Sequence, residues 1–186
     1  QRDFISLTNP LSPDDVANIL DYYDLSKHHS ISFTGGEPLL QDGFLQKLIS
    51  LLKPRGPLMF LETNGTLPDR LANVIDLIDI VSMDIKLVGD TSWEDHAEFL
   101  QVARKKQVYV KVVVLPGTTD EEIARAAQLV QAVDPAIPLV LQPVTPYGPI
   151  RRGPDPGRMI EIQDLALNCL KDVRVIPQTH KIMGQL

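Results

Sequence analysis

SFTGGEPLLQ, residues 32–41, ends an apolar run on two glycines, a glutamate and a proline. A β-rich run closed by Gly-Gly and followed by proline reads as a strand passing through a tight turn into a helix. Glycine accepts positive φ, and proline suits the first helical position. The flanks agree: HSISFTGG (29–36) is read as a strand, and DGFLQKLISLLKPRG (42–56) as a helix stopped by Pro54 and Gly56. The charge is what needs a reason, because a strand that looks buried delivers Glu37 between permissive and rigid backbone.

Outward from this stretch the same unit recurs. LSPDDVANILDYY (11–23) offers Ser12 as N-cap, Pro13 at the first helical position, and Val16, Ile19, Leu20 and Tyr23 on one face. PLMFLETNG (57–65), DIVSMDIKL (79–87), VYVKVVVLPG (108–117) and PLVLQPVTP (138–146) read as strands. DRLANVIDLI (69–78), WEDHAEFLQVARKKQ (93–107), TDEEIARAAQLVQAV (119–133) and RMIEIQDLALNCLK (158–171) read as helices between them, Thr119 and Glu122 being spaced as a capping box. DVRVIPQTHK (172–181) is a last short strand or extended tail. Strands alternating with crossover helices, and no hairpin signal, predict an α/β fold whose parallel sheet curves towards a barrel. The strands look like continuous apolar runs, as when both faces are covered. The Pro- and Gly-dense segment 146–157 is the one long loop, and residues 1–186 are expected to form a single domain.

Composition narrows the class. A 186-residue chain with 44% hydrophobic and 23% charged residues suits one sizeable core. A formal charge of -6 gives no basic footprint for nucleic acid, and no apolar run approaches the roughly 18 residues of a membrane span. A single cysteine, Cys169, excludes an internal disulfide framework, so a cytoplasmic protein is expected; Cys169 itself falls on the amphipathic pattern of its helix as a core thiol. The chain opens on Gln1 with nine polar, aperiodic residues, which raises the expectation of a natural segment before them.

In parallel βα folds the site lies at the carboxyl ends of the strands. Here those ends carry Thr34, Gly35, Gly36 and Glu37; Glu62, Thr63, Asn64 and Gly65; Asp84 and Lys86; Gln142; and Gln178, Thr179 and His180, with Lys111 inside the fourth strand. Each group has a structural reading of its own. Gly35-Gly36 and Asn64-Gly65 serve as turns, Asp84 and Lys86 as a solvated pair on one face, and His180 as surface decoration. Lys111 within an apolar strand requires an anionic or polar partner, since an unpaired buried ammonium costs several kcal/mol. Five strands delivering polar groups to one end exceed what packing asks for. Glycines that let a ligand reach backbone amides, beside a carboxylate and with Lys86 near, suit an amino-acid head group.

At these residues the sequence resembles the radical S-adenosylmethionine (SAM) superfamily. GGEP (35–38) is similar to its methionine-binding motif, which assigns Gly35, Gly36, Glu37 and Pro38 to the cofactor, Glu37 with its neighbouring backbone taking the amino group. ETNG (62–65) and DIK (84–86) resemble the next two strand ends, carrying over Thr63, Asn64, Asp84 and Lys86 as S-adenosylmethionine contacts. QPV (142–144) and PQTHK (177–181) are most like the 7-carboxy-7-deazaguanine synthase branch, implying a contact near the adenosine from Gln142 and a substrate-side role for His180, with Lys111 beside it. The resemblance implies a partial (β/α)6 TIM-like barrel. It also implies a [4Fe-4S] cluster on a CxxxCxxC loop, which this chain does not contain. The expected explanation is that the first strand and cluster loop precede Gln1, so that the chain alone is inactive.

The chemistry implied is a 5'-deoxyadenosyl radical that abstracts hydrogen, and a lyase reaction converting 6-carboxytetrahydropterin to 7-carboxy-7-deazaguanine and ammonia, on the way to the modified tRNA base queuosine. The resemblance further implies a flavodoxin or ferredoxin as electron donor and Mg²⁺ in substrate binding, although no residue here receives the metal; a homodimer is left open. One alternative is an activase of glycyl-radical enzymes, of the pyruvate formate-lyase type, which MDIKL (83–87) also fits. Another is a non-catalytic or phosphate-binding barrel, although phosphate cradles favour more amides and no adjacent glutamate.

Overall fold

A computed structural model describes residues 9–87, 92–146 and 148–183, without the side chains of His180 and Ile182. After α1 (Pro13–Leu20), strands and helices alternate: β1 (Ser30–Phe33), α2 (Asp42–Leu52), β2 (Leu58–Thr63), α3 (Pro68–Val74), β3 (Ile80–Ile85) and α4 (Trp93–Ala103). β4 (Gln107–Val114), α5 (Asp120–Val133), β5 (Leu139–Pro143), α6 (Pro156–Leu167), β6 (Val173–Val175) and the one-turn α7 (Thr179–Ile182) complete the order. The six strands pair in chain order and in parallel throughout. Helix starts are written locally. Ser12 and Thr119 each close a capping box, with Asp15 and Glu122, and Ser92 and Asp155 accept from the first-turn amides of α4 and α6.

A parallel sheet in sequential order, joined by right-handed crossovers, places the crossover helices on one face. Consecutive helices α1 to α6 accordingly touch one another around that face. The core lies beneath them, where Met59, Leu61, Val81, Met83, Val110, Val112, Leu139 and Leu141 meet Leu48, Ile49, Leu71, Phe99, Leu100, Ile123, Ala127 and Ile162. This is the α/β, partial TIM-like architecture expected.

Because helices cover one face only, the strands do not read as uniformly buried. β2 and β4 alternate strictly between buried and more exposed residues, so for these strands the expectation of two covered faces is corrected, whereas β3 is buried on both faces save at Asp84. Three smaller corrections follow from packing. α1 buries Ala17, whereas Ile19 and Tyr23 are exposed, because its main packing partner is α2. Cys169 sits just past α6, half-buried against the core. β6 stops at Val175, and Gln178 to His180 enter the α7 turn where strand or extended chain was expected; three residues suffice to pair with β5. Among the described residues no helix is long and apolar enough to cross a membrane.

Thr119→Ala removes one half of the α5 capping box and should cost about 1 kcal/mol. The measurement is urea unfolding, with a lower midpoint and an unchanged slope expected.

Candidate functional site

The turn after β1 shows what the charge is for. Gly35 and Gly36 adopt φ of 92° and 58°, and beside them is open space that a Cβ would not fill. They aim Glu37 back at β2. Its Oε1 accepts from the Leu39 amide at 3.1 Å and the Thr63 hydroxyl at 2.8 Å; its Oε2 accepts from the Asn64 amide at 2.8 Å. One carboxylate thus caps the Pro38–Gln41 turn and ties the ends of β1 and β2 together. A carboxylate has about four acceptor positions, so Oε2 retains one for a further donor.

The second turn is equally determined. Asn64 Oδ1 accepts from the amide and hydroxyl of Thr66, closing the loop on itself, and the Gly65 amide reaches Thr63 Oγ1 at 3.3 Å. Gly65 has φ of 67°, and a Cβ there would stand 2.7 Å from Met83 side-chain carbons and 3.2 Å from His96 Nδ1. His96, on α4 and 1% exposed, donates from Nδ1 to the Gly65 carbonyl at 2.9 Å. Burial holds its pKa below the ordinary histidine value.

On the open face, register lines up polar residues from successive strands. Glu62 lies beside Ser82, which is itself buried, Asp84 beside Lys111, Lys111 beside buried Val140 and then Arg174, and Val113 beside Gln142. Lys111 has the partner its position demanded: Asp84 Oδ1 lies 3.0 Å from its Nζ. Burial nevertheless pushes the Asp84 carboxyl up, with Lys111 opposing and Glu62 adding to the shift. Ser32 donates to Glu62 at 3.0 Å. Lys111 borders two hollows. One, of about 830 Å³, runs across β4 to β6 and is lined by Glu62, Tyr109, Gln142, Arg174 and Gln178 among others. The other, of about 200 Å³, also contains Asp84 and Lys86.

The structure therefore brings together Glu37, Thr63 and Asn64 at one rim; Asp84, Lys86 and Lys111 at another; and Lys111 with Gln142 in the large hollow. Gly35 and Pro38 border a third recess with Glu37, and Gly36 is exposed beside them. Lys86 is exposed and forms no ion pair with Glu37 or Asp84; Asp84 takes Lys111 instead, because neighbouring strands bring those two side by side. The His180 side chain lies outside what is described. Sequence reading assigned no role to Ser82, Tyr109, Arg174 or His96 and left Glu62 as a strand-end residue. The first three and Glu62 were detectable as polar positions sharing the parity of Lys111 along their strands, whereas nothing in α4 marks His96. Among the described residues no three His, Cys, Asp or Glu side chains gather as a metal cage. Cys169 lies where α6 leads into β6, at the end of the sheet opposite the rim.

Comparison with known proteins identifies the family. Residues 3–130 match the Radical SAM superfamily. The chain belongs to the radical SAM superfamily. Its relatives include the 7-carboxy-7-deazaguanine synthase of Geobacter sulfurreducens, 42% identical over 100% of this chain and 76% of that protein. A pyruvate formate-lyase-activating enzyme of Clostridium pasteurianum is 27% identical over 60% of this chain and 52% of that protein. The archaeal TYW1 crystal structure superposes with a TM-score of 0.58 at 16% identity, covering 85% of this chain and 58% of that one, a likeness of fold alone. Radical SAM proteins bind S-adenosylmethionine and a [4Fe-4S] cluster, and the rim described here fits the first. It does not supply the second, whose ligands are thiolates.

Gly65→Ala combines an unfavourable φ with a clash against Met83, and should destabilise the fold by roughly 1–3 kcal/mol, read as a lower thermal midpoint. Asp84 gives a pH signature. A carboxyl whose folded pKa exceeds its unfolded value adds stability at low pH, and that contribution is lost as pH rises through the folded value. Asp84→Asn, whose amide oxygen still accepts from Lys111, lacks this loss. Its stability relative to the parent should improve between about pH 4 and pH 7 in urea titrations; a constant difference would contradict the assignment.

Proposed function

We propose that this chain carries the S-adenosylmethionine and substrate sites of a 7-carboxy-7-deazaguanine synthase, acting on 6-carboxytetrahydropterin. The observation that supports the reading is a carboxylate, Glu62, and an ammonium, Lys111, on the wall of one hollow on the sheet. A flat heterocycle bearing amino groups and a carboxylate complements such a wall. A peptide glycine, the substrate of the activase alternative, carries neither group to engage that wall.

S-adenosylmethionine, with the reduced cluster of the superfamily, supplies hydrogen-atom abstraction when bound. The residues of this chain bind and orient. Glu37 Oε2 offers its remaining acceptor position to the methionyl ammonium, while Gly35 and Gly36 keep side chains out of its way. Lys86, exposed at the end of β3, takes the methionyl carboxylate, and Gln142 takes a polar edge of the adenosine. Lys111, held by Asp84, receives the substrate carboxylate, and His180 is assigned to the same side. Among the described residues none is assigned to the cluster.

Lys86→Ala tests the cofactor side with little cost to the fold, since Lys86 is exposed and makes no ion pair among the described residues. In the full-length protein it should weaken S-adenosylmethionine binding about tenfold by calorimetry, the loss of one charge-assisted contact. Lys111→Met should leave that affinity unchanged and lower turnover of 6-carboxytetrahydropterin. Unchanged binding in the first variant, or lost cofactor binding in the second, would overturn the division of roles.

A further inference from the structure

His96 is the buried ionisable group that the proposed reaction does not use. Its position demands a reason. The imidazole is 1% exposed, packed beside Met83 and edge-on to Trp93 with ring centroids 6.3 Å apart. Its Nε2 has no hydrogen-bond partner among the described residues. An apolar side chain would fill the space without burying an unsatisfied nitrogen, a state that costs free energy. What the histidine supplies that an apolar residue would not is the Nδ1–H donated to the Gly65 carbonyl.

That carbonyl belongs to the turn whose other polar groups are already engaged by side chains: Asn64 N–H by Glu37, Gly65 N–H by Thr63 and Thr66 N–H by Asn64. We propose that neutral His96 is a positioning residue, holding the Asn64–Gly65 turn, and through it the Glu37 carboxylate, in the shape that receives S-adenosylmethionine. The ligand follows from the function proposed above; the mechanical role does not depend on it. A carbonyl oxygen only accepts, so Nδ1 carries the proton of the neutral ring and Nε2 is bare. A second proton would have to sit on Nε2, from which no group among the described residues accepts. The surroundings offer little to stabilise such a cation. α4 contributes Asp95, the charged group that acts on the ring. α5 contributes Arg125, already stacked over Trp93 at 4.2 Å, and β3 presents Met83 while its Asp84 pairs with Lys111 on the open face. Burial accordingly lowers the pKa of His96. Acid that forces the ring to charge must loosen the turn.

The test uses full-length protein with His96→Asn, whose amide NH₂ replaces the Nδ1–H without titrating, and His96→Leu, which replaces the volume alone. Calorimetry with S-adenosylmethionine between pH 5.5 and 8 is paired with ligand-free hydrogen exchange of the Asn64, Gly65 and Thr66 amides. At pH 7.5 His96→Leu should bind about tenfold more weakly and exchange these amides faster, while His96→Asn keeps both properties. As pH falls from the ordinary histidine range towards 5.5, the parent should progressively lose affinity and amide protection that His96→Asn retains. Unaltered exchange in His96→Leu, or an acid loss identical in the parent and His96→Asn, overturns the proposal. Faster exchange in His96→Leu together with no S-adenosylmethionine binding by the parent would uphold His96 as the support of the turn and overturn the cofactor reading.

Discussion

The Glu37 carboxylate is the contact on which the rest of the rim depends. A parallel sheet leaves the turns that follow its strands independent of one another, because each strand pairs along its length and then departs into its own helix. Glu37 removes that independence at the end of β1. By accepting from Leu39, Thr63 and Asn64 it fixes its own turn and the neighbouring one with a single charged group. Replacing it with an apolar residue would strand donors from two strand ends at once, a larger loss than one hydrogen bond. The glycines before it are the means: positive φ at Gly35 and Gly36 reverses the chain soon enough for the carboxylate to point inward.

The second constraint is one of coverage. With the crossover helices on one side, the sheet has a sealed face and an accessible one, and the polar residues of the strands collect on the accessible one. Desolvation there is partial. The Lys111–Asp84 pair is 18% and 36% exposed, enough burial to raise the Asp84 pKa but not enough to exclude a ligand from the groove. A pair this accessible contributes little to folding beyond sparing Lys111 an unpaired charge.

The order of elements was legible in the sequence because period and punctuation agreed: Ser12, Thr119, Pro13 and Pro38 mark helix or turn starts where the structure has them. The demand that Lys111 find an anion was legible too, from the cost of an unpaired ammonium alone. What could not be read was the identity of partners across strands. Lys86 looked like the counterpart of the nearby acids, yet register gives Asp84 to Lys111, and register depends on where each helix ends. His96 was invisible for a related reason. An amphipathic helix shows which face is buried, but not which backbone carbonyl of another element will stand opposite it.

The sequential strand order has a consequence for how the chain acquires its shape. Each strand finds its neighbours in the units immediately before and after it, so no pairing waits for a remote segment to be synthesised. Loop-closure entropy is therefore met in modest, similar instalments, and the sheet can accrete in step with translation, β6 docking last.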